Sequence, residues 1–111
     1  MNDATPIVLP LEPAGADARA RDGSITVVDV RPPAERALAE IARPYVGLED
    51  GGLERLLALP KQSPLAFLCH HGVRSAQAAE YFRAQGFDVV YNIVGGIEAW
   101  ACELDSNVAR Y

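Results

Sequence analysis

The sequence predicts an α/β fold, with a mostly parallel central sheet flanked by helices. Three observations carry that expectation. Short apolar runs recur at Ile25-Thr26-Val27-Val28, Leu65-Ala66-Phe67-Leu68 and Val89-Val90-Tyr91, helical patterns lie between them, and proline or glycine marks the junctions. Apolar runs this short suit strands buried on both faces, and strands alternating with helices pair in parallel through crossover connections.

Taken in order, the chain begins with a segment that suggests a short strand at Ile7 to Leu9 and a helix within Gly15 to Arg21. It shows no basic leader, and Pro10 interrupts its apolar run, so neither a signal peptide nor a membrane span is expected. The strand at 25–28 follows. Pro33 then opens a helix at a position where proline is tolerated, with Ala34, Leu38 and Ile41 on one face. Leu53, Leu56 and Leu57 mark a second helix that ends before Pro60. After the strand at 65–68, a helix is expected from about Ser75 to Gln85. Its Ala78, Ala79 and Phe82 face one way, Glu80 and Arg83 the other, and Gly86 suits the position just past its end. The last helix follows Gly95-Gly96, with Ile97, Trp100, Ala101 and Leu104 on one stripe and Cys102 roughly opposite it. No internal repeat, low-complexity tract or linker divides residues 1–111, which read as one domain.

Composition narrows the function classes. Half the residues are hydrophobic and 23% are charged, as in an ordinary soluble globular domain. A formal charge of −5 lacks the basic footprint of a nucleic-acid binder and gives no attraction to an acidic lipid surface. The two cysteines form neither a CxxC pair nor a disulfide framework, which points to a reducing, cytoplasmic setting in which both are thiols.

Cys69 stands where the strand at 65–68 hands over to a helix, and "HHGVRS" follows it. Ligands of parallel α/β sheets gather at the carboxyl ends of strands. If residues 70–74 curl into a cradle, with Ser75 as N-cap, backbone N–H groups and the helix dipole favour a thiolate. Gly72 supplies conformational freedom for the tight loop, and Arg74 adds a fixed positive charge. A lone cysteine ending an apolar strand is commonly just a small buried hydrophobe. Two histidines, a glycine and an arginine, however, are poor core material and good material for an anion-binding loop.

On these residues the chain resembles the rhodanese-type sulfurtransferases. The likeness rests on Cys69-His70-His71-Gly72-Val73-Arg74 with Ser75 leading the helix, on "VVDVRPPAE" with Asp29, Arg31 and Glu35, and on "GGIEAW" with Gly95, Gly96 and Trp100. It spans most of the chain from about Ser24, and implies a three-layer rhodanese-like fold. It also implies that Cys69 is the nucleophile, steadied by amides of residues 70–74, and that Asp29 and Arg31 brace the loop, although a surface ion pair at a strand-to-helix turn is the plainer alternative for those two. Gly95, Gly96 and Trp100 would be structural. The segment "EIARPYVGLED" departs from the family's usual pattern after the first acidic motif.

The activity so implied is transfer of a sulfane sulfur from a donor such as thiosulfate to a thiol, cyanide or protein acceptor through a Cys69 persulfide, with no cofactor. His70 and His71 are expected as rim residues, of a residue type whose charge changes near neutral pH. A Cys-dependent phosphatase is the weaker reading, because its loop places one residue more between cysteine and arginine than the four found here. Zinc is not expected: Cys69, His70 and His71 are consecutive and converge poorly on one ion, with only Cys102 to add as a further thiolate. A persulfide carrier or docking module is the other alternative, favoured modestly by the tail "ELDSNVARY", which is similar to tails of rhodanese domains that act beside sulfur-carrier and adenylating proteins.

Overall fold

Leu65, Ala66, Phe67 and Leu68 are buried without exception, and they form an interior strand of the sheet. The computed structural model describes residues 7–111. In chain order its elements are β1 (Val8–Leu11), α1 (Pro13–Arg21), β2 (Thr26–Asp29), α2 (Pro33–Arg36), α3 (Gly52–Leu57), β3 (Leu65–Leu68), α4 (Val73–Ala84), β4 (Val90–Ile93) and α5 (Gly96–Glu103). The four strands lie in the order β1-β4-β3-β2, and every pairing is parallel. An isolated parallel bridge from Val28 to Val46 extends the β2 side. β1 occupies the other edge, where Pro10 is tolerated because an edge strand has a free side.

Alternation along the strands builds three layers. Val27, Ala66, Leu68 and Ile93 pack with Ala16 of α1 and with Ile97, Trp100 and Ala101 of α5. Val28, Leu65, Phe67 and Val90 pack on the opposite face with Leu56 of α3 and with Ala79 and Phe82 of α4. The anticipated α/β architecture with helices on both faces is therefore observed. Register then sets the site: Asp29 pairs with Leu68 and Asn92 with Phe67, so both neighbouring strands present a polar side chain beside the carboxyl end of β3.

Three local expectations need correction. The helix opened by Pro33 lasts four residues, and Leu38, expected on its buried face, is 57% exposed. The chain tightens there into bonds from Leu38 N–H to Glu35 and from Ala39 N–H to Arg36. The Ala39 carbonyl is then taken by Arg31 Nη2 at 2.8 Å, which draws the backbone toward a buried guanidinium instead of into another helical turn. Ser75 is not the N-cap of α4; Gly72 is, at φ +102°, in the left-handed region that favours glycine. Leu104, assigned to the buried stripe of α5, ends that helix 37% exposed. Gly86, at φ +103°, does follow α4 as anticipated.

Candidate active site

Cys69 is the first residue beyond β3, and its side chain is buried. The loop turns back over it. Gly72 N–H donates to Cys69 Sγ at 3.1 Å, and Ser75 N–H, in the first turn of α4, donates to it at 3.3 Å. The thiol in turn donates to Ser75 Oγ at 3.2 Å, Ser75 Oγ donates to Asn92 Oδ1 at 2.5 Å, and Asn92 Nδ2 donates to the Gly72 carbonyl at 3.0 Å. The sulfur, the loop and β4 are thus joined in one closed set of bonds. Burial works against the thiolate, but the hydrogen bonds from Ser75, Gly72 and His71 outweigh it, and the Cys69 pKa lies below the ordinary thiol value.

Asp29 and Arg31 are not a surface pair. Both are buried, and the guanidinium grips the carboxylate through Nε at 3.0 Å and Nη2 at 2.7 Å. Arg31 also donates to the Ala39 carbonyl and, through Nη1, to Tyr111 Oη at 3.0 Å. Burial opposes its charge, yet the bonds to Asp29 and Tyr111 raise its pKa above the ordinary arginine value. Tyr111 Oη donates onward to Glu35 Oε2 at 2.5 Å, and Glu35 accepts both terminal nitrogens of Arg74 at 2.9 and 2.8 Å. Arg74, expected to bring a fixed positive charge to the cradle, is engaged by the Glu35 carboxylate. The Arg74 guanidinium holds the Glu35 carboxyl down at about 2.

His70 is more enclosed than a rim residue. Its ring is stacked between His71, at 3.9 Å between centroids, and Tyr111, at 3.8 Å, and its Nε2 is buried with no hydrogen-bond partner. His71 and Val73 are exposed on the outside of the loop. Gly96 fixes the loop from behind: a Cβ there would lie 2.5 Å from the His70 carbonyl oxygen and still closer to that of Cys69, so only glycine admits this approach. The fold also brings Glu98 of α5 to His70 and His71, which provide among the described residues a group of three metal-ligating side chains. Cys102 is exposed, as the helical geometry anticipates, with Sγ 3.6 Å from Glu98 Oε2.

Sequence reasoning passed over Asn92, Glu98 and the folded-back Tyr111. A signal for the first was present: an asparagine between Tyr91 and Ile93 interrupts an otherwise apolar strand, and a polar side chain at a strand's carboxyl end in a parallel sheet belongs to the binding crevice. Glu98 and Tyr111 gave no such signal, because their partners are distant in sequence.

The profile of the Rhodanese-like domain family matches residues 12–103. Among solved structures, the chain is similar to a Staphylococcus aureus rhodanese-like domain protein at 26% identity, covering 94% of this chain and 99% of that one with a TM-score of 0.70. It is similar to the polysulfide-sulfur transferase homodimer of Wolinella succinogenes at 31% identity, covering 90% and 77% with a TM-score of 0.72. A Rhodopseudomonas palustris protein of unknown function, named as a possible tyrosine phosphatase, aligns at 28% identity over 94% and 85% with a TM-score of 0.66. The matched segment holds every element from α1 to α5. By that match, and with a cysteine loop built as described, the chain belongs to the rhodanese-like domain family, which is of sulfurtransferase type.

Proposed function

We propose that this protein is a sulfurtransferase that moves a sulfane sulfur from a donor such as thiosulfate to a thiophilic acceptor through a persulfide on Cys69. The observation that carries this reading is the cradle itself, in which Gly72 and Ser75 N–H groups converge on Sγ. In the first step the Cys69 thiolate attacks the outer sulfur of the donor. A sulfur–sulfur bond forms at Cys69, the donor's own sulfur–sulfur bond breaks, and sulfite leaves with the electron pair. A thiol, cyanide or a protein cysteine then attacks the outer sulfur of the persulfide and the Cys69 thiolate is released. Two displacements through a covalent intermediate predict ping-pong kinetics.

In this reading His70, His71, Gly72, Val73, Arg74 and Ser75 shape the loop, while Asp29 and Arg31 act as positioning residues that hold the end of β2 beside it. The two free thiols fit a reducing, cytoplasmic setting. None of the helices is long and apolar enough to cross a membrane among the described residues. The phosphatase alternative is disfavoured by the loop: only four residues separate Cys69 from Arg74, and that arginine is tied to Glu35.

Incubation of the reduced protein with excess thiosulfate, followed by donor removal and intact-mass measurement, tests the mechanism. The expected result is a gain of about one sulfur atom, retained in Cys102→Ser and lost in Cys69→Ser. No gain from thiosulfate, mercaptopyruvate or a persulfidated protein donor would overturn sulfur transfer. Stoichiometric loading with discharge to a single protein only would favour the carrier alternative over turnover.

A further inference from the structure

One cluster of donor side chains joins the loop to α5. His70, His71 and Glu98 each bring a ligand atom to within 4.8 Å of the other two. Their spacing is set by the backbone, because Ile97 N–H donates to the Cys69 carbonyl at 2.8 Å and Glu98 N–H to the His70 carbonyl at 3.1 Å. The first turn of α5 is thereby held against the two histidines. His70 Nε2 is moreover buried without a hydrogen-bond partner, a state that costs free energy unless something satisfies it. One turn further along α5, the Cys102 thiol approaches Glu98 Oε2 at 3.6 Å.

Against the sequence-based expectation that zinc does not bind here, which did not weigh Glu98, we propose that His70, His71 and Glu98 form a site for a divalent transition ion of borderline softness, zinc(II) foremost. Two imidazoles and a carboxylate are the donor set of an open zinc site, whereas magnesium and calcium prefer oxygen ligands throughout. Ligands at about 2.0–2.2 Å from a tetrahedral ion stand about 3.3–3.6 Å apart, so the three atoms close by little more than about 1 Å on binding. His71 is exposed, and its side-chain rotation supplies that closure by opening its stack on His70.

Arg110 opposes the ion. It donates to Glu98 Oε2 through Nε at 3.0 Å and Nη2 at 2.5 Å, so an incoming cation takes over a carboxylate that a guanidinium already holds. An occupied site ties the loop to α5 through side chains as well as through backbone. This proposal does not rest on sulfur transfer.

Zinc(II) titrated into the full chain carrying Cys69→Ser, followed by calorimetry, removes the nucleophile as a competing ligand and tests the site directly. One ion per chain is expected. His71→Ala and Glu98→Gln each weaken binding by about tenfold or more, at least the loss seen when outer partners of a metal ligand are removed. Arg110→Ala tightens it by about two- to fivefold, the worth of a freed surface ion pair. A gain of affinity is not produced by damage to the fold. Absence of saturable binding, unchanged affinity in both His71→Ala and Glu98→Gln, or loss confined to Cys102→Ser would each overturn the site.

Discussion

Around Cys69 the hydrogen bonds form a sequence of choices for a single hydroxyl proton. Ser75 Oγ donates to Asn92 in the resting thiol, and as the thiolate forms the same hydroxyl is placed to turn toward the sulfur. If Cys69 takes up sulfur as proposed, loading is expected to rise with pH as the thiolate forms, with an inflection below that of an ordinary thiol. Ser75→Ala removes a hydrogen bond to a charged group. Its expected effect is an inflection raised by about one pH unit and loading slowed about tenfold at neutral pH, with the two proteins converging above the raised inflection. Stopped-flow loading with thiosulfate across a pH series makes the measurement, and an unmoved inflection would show that the hydroxyl does not support the sulfur. The placement of Cys69 and Gly72 at a strand-to-helix loop was legible in the sequence because two histidines, a glycine and an arginine in a row are poor core material. Asn92 was not read, since a single asparagine in a short apolar run is easily taken for a strand end.

Among the elements, β2 contributes its last residue to an ion pair that the sequence left ambiguous. Nothing in "VVDVRPP" distinguishes a surface pair from a buried one; the difference arises because β2 lies beside β3 and the segment after α2 closes over the guanidinium. Asp29→Ala leaves Arg31 charged and unpaired in the interior, and a loss of about 3–5 kcal/mol is expected in denaturant unfolding. A loss within about 0.5 kcal/mol, the range of a surface substitution, would mean that water reaches the pair. The same segment explains why α2 was over-extended in the sequence reading. Ala34, Leu38 and Ile41 have helical spacing, but the carbonyl of Ala39 has a better partner in Arg31 than in the next helical turn. β3, whose partners are apolar, was legible to the residue, and α4 and α5, which begin at a glycine, were legible to within a turn.

For the whole molecule, the acidic balance is unevenly distributed in effect, because several carboxylates near the loop are matched by arginines: Asp29 with Arg31, Glu35 with Arg74, Glu98 with Arg110. Glu35 has the clearest consequence for stability. Its folded pKa is depressed from 4.5 to about 2 by the Arg74 guanidinium, so its contribution is fully present above pH 4.5 and is lost as pH falls toward 2. The pair is partly exposed, which limits the contribution to about 1 kcal/mol or less. Thermal unfolding of the wild type and Glu35→Gln should differ at neutral pH, with the wild type more stable, and the difference should close between pH 4.5 and 2. A constant difference across that range would place the depression elsewhere.

The junction at Gly96 has an optical consequence. Ile97 and Glu98 hold the carbonyls of Cys69 and His70, and Trp100, the chain's single tryptophan, follows within the same turn of helix and is buried against the sheet. Any rearrangement that lifts the loop from α5 disturbs the packing of that indole. Its intrinsic emission is therefore a native gauge of the loop's position, one that needs no attached label and reports from the side of the sheet opposite α4.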